Sequence, residues 1–155
     1  MYLLDTNHCF QLLYNHPGIT QKLSQLGDKV FVATCVIVQG ELVYMAHKSE
    51  QQERNLRRLE RFLDDIEIYP ISEETADVYG RLKAAIIDHF GPKERAQRRR
   101  ITIEKLGFQE NDLWIAAIAK CHGFTIVSTD SDFERIKEVE ELFVENWLLS
   151  DLEEK

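Results

Sequence analysis

The chain has 155 residues, a length that suits one domain with a sizeable hydrophobic core. Hydrophobic residues make up 44% and charged residues 30%, and no apolar run nears the ~20 residues of a membrane helix. The net charge of -8 argues against a high-affinity DNA-binding domain, which would present a basic surface.

The charge is uneven. The stretch 93 to 105 carries Lys93, Arg95, Arg98, Arg99, Arg100 and Lys105 against only Glu94 and Glu104, whereas 138 to 154 is strongly acidic. Cys9, Cys35 and Cys121 are widely spaced and form no C-x-x-C pair. They read as small buried hydrophobes of a protein in the reducing cytoplasm. The histidines offer no zinc-type spacing. The start has neither a basic n-region nor a long apolar h-region, so no secretory leader is expected.

In chain order, Tyr2-Leu3-Leu4 forms a short strand and 6 to 14 a helix, with Phe10, Leu13 and Tyr14 at helical spacing. Pro17-Gly18 marks a turn, and 19 to 26 a short helix ending at Gly27. KVFVA at 29 to 33 is a strand, and Thr34 caps a helix running to about His47. Leu56, Leu59, Phe62 and Leu63 make the apolar stripe of a charged helix over 50 to 64. IEIYPI at 66 to 71 is a strand that Pro70 puts at an edge or near its end. Ser72 caps a helix over 73 to 89, stopped by Gly91-Pro92. The basic stretch follows, partly helical. A helix over 110 to 122 turns Trp114, Ile115, Ile118 and Ala119 inward and ends at Gly123. FTIVS at 124 to 128 is a buried strand, and a last strand lies near 142 to 145. Strands alternating with helices imply an α/β fold with a mostly parallel sheet, whose reactive groups lie beyond the carboxyl ends of the strands. The expected organisation is a single domain over 1–150 and an acidic tail at 151–155.

Two apolar strands run into acids at that edge: Asp5 after Tyr2-Leu3-Leu4, and Asp130 after FTIVS, with Asp132 two residues on. Glu41 sits between Val38 and Leu42 in a nearly all-apolar helix, and Asp112 opens the apolar run LWIAAIA. Each has a plain structural role open to it. Asp5 and Asp130 fit as helix caps, and Asp112 as a first-turn acid on a helix dipole. Glu41 fits these roles least, because a buried carboxylate needs a cation or several donors and no Lys or Arg follows until Lys48. Four acids converging at one sheet edge would repel one another, and a divalent cation removes that repulsion. Oxygen-only ligation suits Mg²⁺ or Mn²⁺ rather than zinc. Such metals are a standard means of hydrolysing phosphodiesters in nucleic acids.

LLDTN at the start, Glu41 in its apolar helix, NDLWIAA at 111 to 117 and STDSDF at 128 to 133 together resemble the successive motifs of PIN-domain ribonucleases. VENW at 144 to 147 is similar to the ending of the VapC toxin branch. The resemblance spans nearly the whole chain in the right order. It implies a three-layer α/β/α nuclease that binds Mg²⁺ or Mn²⁺ and cuts single-stranded or looped RNA (tRNA, rRNA or mRNA). It also implies the toxin of a toxin–antitoxin pair, with a cognate antitoxin protein and a homodimer as partners and no membrane association. Carried across, Asp5, Glu41, Asp112 and Asp130 are the catalytic, metal-binding acids. Asp5, Asp112 and Asp130 hold the metal, and Glu41 binds it directly or through water. Thr6 and Ser128 match hydroxyl positions that bond the carboxylates or a water. Asn7 reads as a cap of the first helix.

Asp130 and Asp132 compete for the fourth place. The T-x-D-x-D-F pattern falls on Ser128, Asp130, Asp132 and Phe133, which favours Asp130 and leaves Asp132 as an auxiliary acid or a cap. The basic stretch before Asp112 reads either as a solvated loop or as a phosphate-binding flap drawing RNA to an acidic site, with Arg98, Arg99 and Arg100 as candidates. No histidine is required as a general base, and His8 reads as a structural residue of the first helix. A haloacid-dehalogenase phosphatase needs an acid where Asn7 stands, and a receiver domain needs a phosphoacceptor that IEIYPI does not offer. The remaining alternatives are a housekeeping RNA-processing nuclease of the same fold, or a silent protein-binding module.

Overall fold

The computed structural model describes residues 1–148, so the expected tail at 151–155 lies outside the described residues. In chain order the elements are β1 (Tyr2–Leu4), α1 (Thr6–Leu13), α2 (Pro17–Leu26), β2 (Val32–Cys35), α3 (Val36–Lys48), α4 (Gln52–Asp65) and β3 (Glu67–Tyr69). They continue with α5 (Glu73–Phe90), α6 (Arg95–Arg98), α7 (Glu110–His122), β4 (Thr125–Val127), α8 (Ser131–Ile136) and β5 (Phe143–Glu145). The strands form one sheet in the order β3-β2-β1-β4-β5, and every neighbouring pair is parallel.

Successive strand residues point to opposite faces. Leu3 and Leu4 of β1 are both fully buried, as are Ile126 and Val127 of β4. Both faces of the sheet centre are therefore covered by helices, the arrangement that parallel strands require. The packing of α3 on α4 and of α5 on α7 builds these outer layers. From β1 the chain steps to β2 and β3 on one side, and from β4 to β5 on the other. This reversal is a topological switch point, where the loops leaving two adjacent strands diverge and open a crevice. Leu4 pairs with Val127, so the residues following β1 and β4 emerge side by side at that crevice.

Most elements form where their sequence signals stand. The Ser72 side chain accepts from Thr75 N–H at the start of α5, and β3 is an edge strand ending just before Pro70. Gly123, with φ of 66°, closes α7 in a left-handed conformation that costs a side-chain-bearing residue more.

Two local expectations are corrected. The second strand is Val32–Cys35, not 29 to 33. Its pairing is set by the start of β1, with Tyr2 opposite Val32, and Phe31 remains 38% exposed. Thr34 is not a cap. Its hydroxyl donates to the Leu4 carbonyl at 3.0 Å inside the sheet, and Cys35 precedes α3 without a side-chain cap bond. The apolar face of α3 is only partly buried: Val38, Leu42 and Ala46 are inside, whereas Tyr44 is 63% exposed. Helix α8 follows Asp130 as a cap there implies, but its bounds have no sequence signal, because its six residues, SDFERI, are too few and too charged for a periodic pattern.

Candidate active site at the β1–β4 crevice

Asp5 follows β1 with extended backbone and caps α1. Its Oδ1 accepts from the His8 main-chain N–H at 2.8 Å and from the His8 ring at Nδ1 at 2.9 Å. Its Oδ2 accepts from the Ser128 hydroxyl at the end of β4. The cap is thus Asp5 and not Asn7, which lies in the first turn of α1, exposed, with its amide 3.4 Å from the Thr129 hydroxyl. Ser128 also accepts from the Asp130 main-chain N–H at 2.9 Å. One hydroxyl therefore joins the acids that follow the two central strands.

Glu41, half-buried on α3, accepts from the Thr6 hydroxyl and, at 2.6 Å, from the Asn111 side-chain amide. These neutral donors meet the need for partners that its sequence environment raised, and among the described residues no Lys or Arg pairs with it. Both hydroxyls matched by resemblance, Thr6 and Ser128, bind carboxylates.

Asp112, in the first turn of α7, differs. Its Oδ2 is buried without a hydrogen-bond partner among the described residues. Its carboxyl is pushed up from 3.8 to about 7, first by burial and then by the nearby charges of Asp130, Asp132, Glu41 and Asp5. Oxygens of Asp112, Asp130 and Asp132 lie within 4.8 Å of one another. Asp130 caps α8, accepting at Oδ1 from Asp132 N–H at 2.8 Å. Asp132 is buried and otherwise engaged: it accepts from Gln109 N–H at 3.1 Å and from Arg135 at 3.3 Å. Asp5, Thr6, Glu41, Asp112 and Asp130 line one cleft, with Phe10, Met45 and Ile115 as its apolar surface. Asp132 lies on the adjoining shoulder with Glu104, Glu110 and Asn111.

The donor set is oxygen only, and one buried acid oxygen has no partner while three acids crowd within reach of a single ion. These features fit a hard divalent cation. The arginine candidates are not in the cleft. Arg98 is half-buried and pairs with Asp88 at 3.6 Å, and Arg99 and Arg100 are exposed. Reading by motif passed over Asn111, Arg135 and the main-chain N–H of Gln109, which fix Glu41 and Asp132. It also passed over the contact of His8 with Asp5. That contact has a local signature, because His8 is the third helical residue after the cap, the position whose side chain reaches back in a capping box.

The acids are grouped at the switch point of an all-parallel sheet flanked by helices, an α/β class of fold, and the family model described as PIN domain matches residues 2–139. The chain belongs to the PIN-domain family. Its relatives lie in the VapC ribonuclease branch. It is 30% identical to Ribonuclease VapC2 of Rickettsia felis, over 95% of this chain and 98% of that one. It is 32% identical to Ribonuclease VapC2 of Haemophilus influenzae, with the same coverage. Among solved structures, VapBC2 from Rickettsia felis bound to a DNA fragment from its promoter matches with a TM-score of 0.72 and 29% identity. That match covers 94% of this chain and 98% of that one.

Proposed function

We propose that this chain is a metal-dependent endoribonuclease, the toxin of a toxin–antitoxin pair, in which Asp5, Glu41, Asp112 and Asp130 form the catalytic, metal-binding site. The observation carrying this reading is the buried, unpartnered Oδ2 of Asp112 among the oxygens of Asp130 and Asp132. Mg²⁺ or Mn²⁺, when bound, supplies charge neutralisation for the scissile phosphate and acidifies water. The chain's own residues set up that chemistry. Asp112, on α7, and Asp130, at the β4 end, would hold the ion. Asp5 is held by three donors and keeps a fixed orientation. Glu41, braced by Thr6 and Asn111, lines the same cleft. Asp132 is a support for the loop entering α7.

One groove offers a candidate surface for an antitoxin partner. Helices α2 and α4 meet α1 around a groove of about 680 Å³, with Leu12, Leu13, Leu23 and Phe62 beneath Arg54, Arg57, Arg58 and Arg61. Its charge suits an acidic, amphipathic segment of the antitoxin. A homodimer and a cytoplasmic setting belong to the same reading, the latter supported by three free cysteines, two of them buried. The test is cleavage of total RNA by the purified chain, with 5′ ends of the products sequenced. Cleavage is lost in EDTA, returns with Mg²⁺ or Mn²⁺, and is absent in Asp5→Asn at any metal concentration. Full cleavage in excess EDTA overturns the metal site. An active Asp5→Asn overturns its assignment.

A further inference from the structure

We propose that His8 is a positioning residue, whose Nδ1–H, set by the main chain at Trp147, orients the Asp5 carboxylate in the cleft. The inference rests on the metal-nuclease reading and deepens it. His8 is fully buried beneath the site and does not line the cleft. Its ring is held at both nitrogens. Nδ1 lies 2.9 Å from Asp5 Oδ1, and Nε2 faces the Trp147 main-chain N–H at 3.4 Å. A main-chain N–H can only donate, so Nε2 must accept and the proton must sit on Nδ1, aimed at Asp5. Outer ligand-orienting bonds of this kind fix a carboxylate's rotamer and the direction of its free lone pairs.

The lock on the ring is itself braced. Trp147 is 3% exposed, its indole N–H donates to Glu145 at 2.9 Å, and its ring meets Tyr2 edge to face at 4.9 Å. The Tyr2 hydroxyl donates to the other Glu145 oxygen at 3.3 Å. The VENW segment thus reaches Asp5 without touching the cleft, from Trp147 through the His8 imidazole and from the Glu145 carbonyl through Ser128. Nor is His8 needed to satisfy the α1 start, because its main-chain N–H already bonds Asp5.

A ring that merely fills space and a ring that donates predict opposite outcomes for two variants. His8→Phe keeps the ring volume without the donor. His8→Asn keeps a donor near the Nδ1 position and loses volume. Positioning predicts that His8→Phe, folded by circular dichroism, loses about 10- to 100-fold in kcat and in Mn²⁺ affinity, with KM for RNA unchanged. It predicts that His8→Asn retains both to within a few-fold, at lower thermal stability. Mn²⁺ binding is read by electron paramagnetic resonance, independently of turnover. A third readout needs no variant: in the metal-free protein, ¹⁵N spectra of the ring show a protonated Nδ1 and a bare Nε2. Wild-type Mn²⁺ affinity in folded His8→Phe, a loss in His8→Asn as large as in His8→Phe, or the opposite tautomer would each overturn the proposal. EDTA-insensitive cleavage by the wild type instead defeats the underlying metal reading, whatever the His8 variants do.

Discussion

Replacing Asp112 by Asn should stabilise the metal-free protein at alkaline pH while abolishing its activity. The folded carboxyl titrates at about 7 against 3.8 for an ordinary aspartate, burial and the neighbouring acids being the causes. A folded value raised above the unfolded one favours the protonated form. Its contribution is fully present below pH 3.8 and is lost as pH rises through about 7. At pH 8 the folded chain therefore carries an ionised carboxylate that it disfavours. At about 1.4 kcal/mol per pH unit, the span sets a ceiling of about 4 kcal/mol. Asp112 is only half-buried, and water and salt screen part of the repulsion, leaving about 2 kcal/mol. A chain of this length converts each kcal/mol into about 2–4 °C of Tm, so Asp112→Asn should melt about 4–8 °C higher at pH 8 in EDTA. The gap should fall to less than half of that at pH 5. Adding Mn²⁺ should raise the Tm of the wild type and leave the variant unchanged. Thermal unfolding by circular dichroism at the two pH values reads this directly. A variant equal to or less stable than the wild type at pH 8, or a gap that does not shrink with falling pH, refutes the electrostatic account.

Three further outcomes separate the roles of neighbouring residues. Ser128→Ala removes the hydroxyl that joins Asp5 and the Asp130 main chain, and should cost about 10-fold in kcat but only about 1 kcal/mol in urea unfolding. Asp130→Asn should abolish cleavage with little change in Tm. Asp132→Asn should lower the Tm by more than Asp130→Asn does, because it weakens the bonds to Gln109 and Arg135, and should keep measurable activity. A reversed order for these two acids would exchange their roles. Arg99→Ala with Arg100→Ala, both exposed, should weaken RNA binding mainly below 0.1 M salt if they meet phosphates, with a flatter dependence on salt measured by fluorescence anisotropy. An unchanged salt slope assigns them to a solvated loop.

The alternation of helices and strands was readable because its signals are local. β1 is three apolar residues ahead of an acid, Ser72 stands where α5 needs a cap, and Gly123 stands where α7 must turn. Errors arose where a distant partner decides the outcome. KVFVA is a fair strand by composition, yet pairing begins at Val32 because β1 begins at Tyr2. Thr34 has the chemistry of a cap, but pairing carries β2 on through Cys35, so α3 begins one residue later than a Thr34 cap requires. The exposure of Tyr44 and Met45 on α3 is equally invisible to a periodicity argument, since an apolar helix does not say which of its faces the sheet will cover.

The candidate site divides along the same line. Asp5, Glu41, Asp112 and Asp130 could be nominated because each interrupts an apolar element with a charge, and the fold lines one cleft with all four. What orients them has weaker signatures. Gln109 and Trp147 act through main-chain N–H groups, and Glu145 fixes Ser128 through its carbonyl at 2.9 Å. Any residue at those positions presents the same group, so no side-chain motif announces it. His8 lies between these cases. Its spacing from Asp5 marks it as a residue that can reach back to the cap, but its tautomer depends on a bond to position 147 that only the folded chain supplies. The short first strand therefore supports Asp5 from three directions: β4 through Ser128, α1 through His8, and the segment after β5 through the other nitrogen of the same ring. Three donor contacts on one carboxylate fix its direction. Asp112, whose buried oxygen has no hydrogen-bond partner among the described residues, keeps a raised pKa. Within the proposed metal site, that contrast makes Asp5 the acid of fixed direction and Asp112 the acid whose deprotonation a metal would drive.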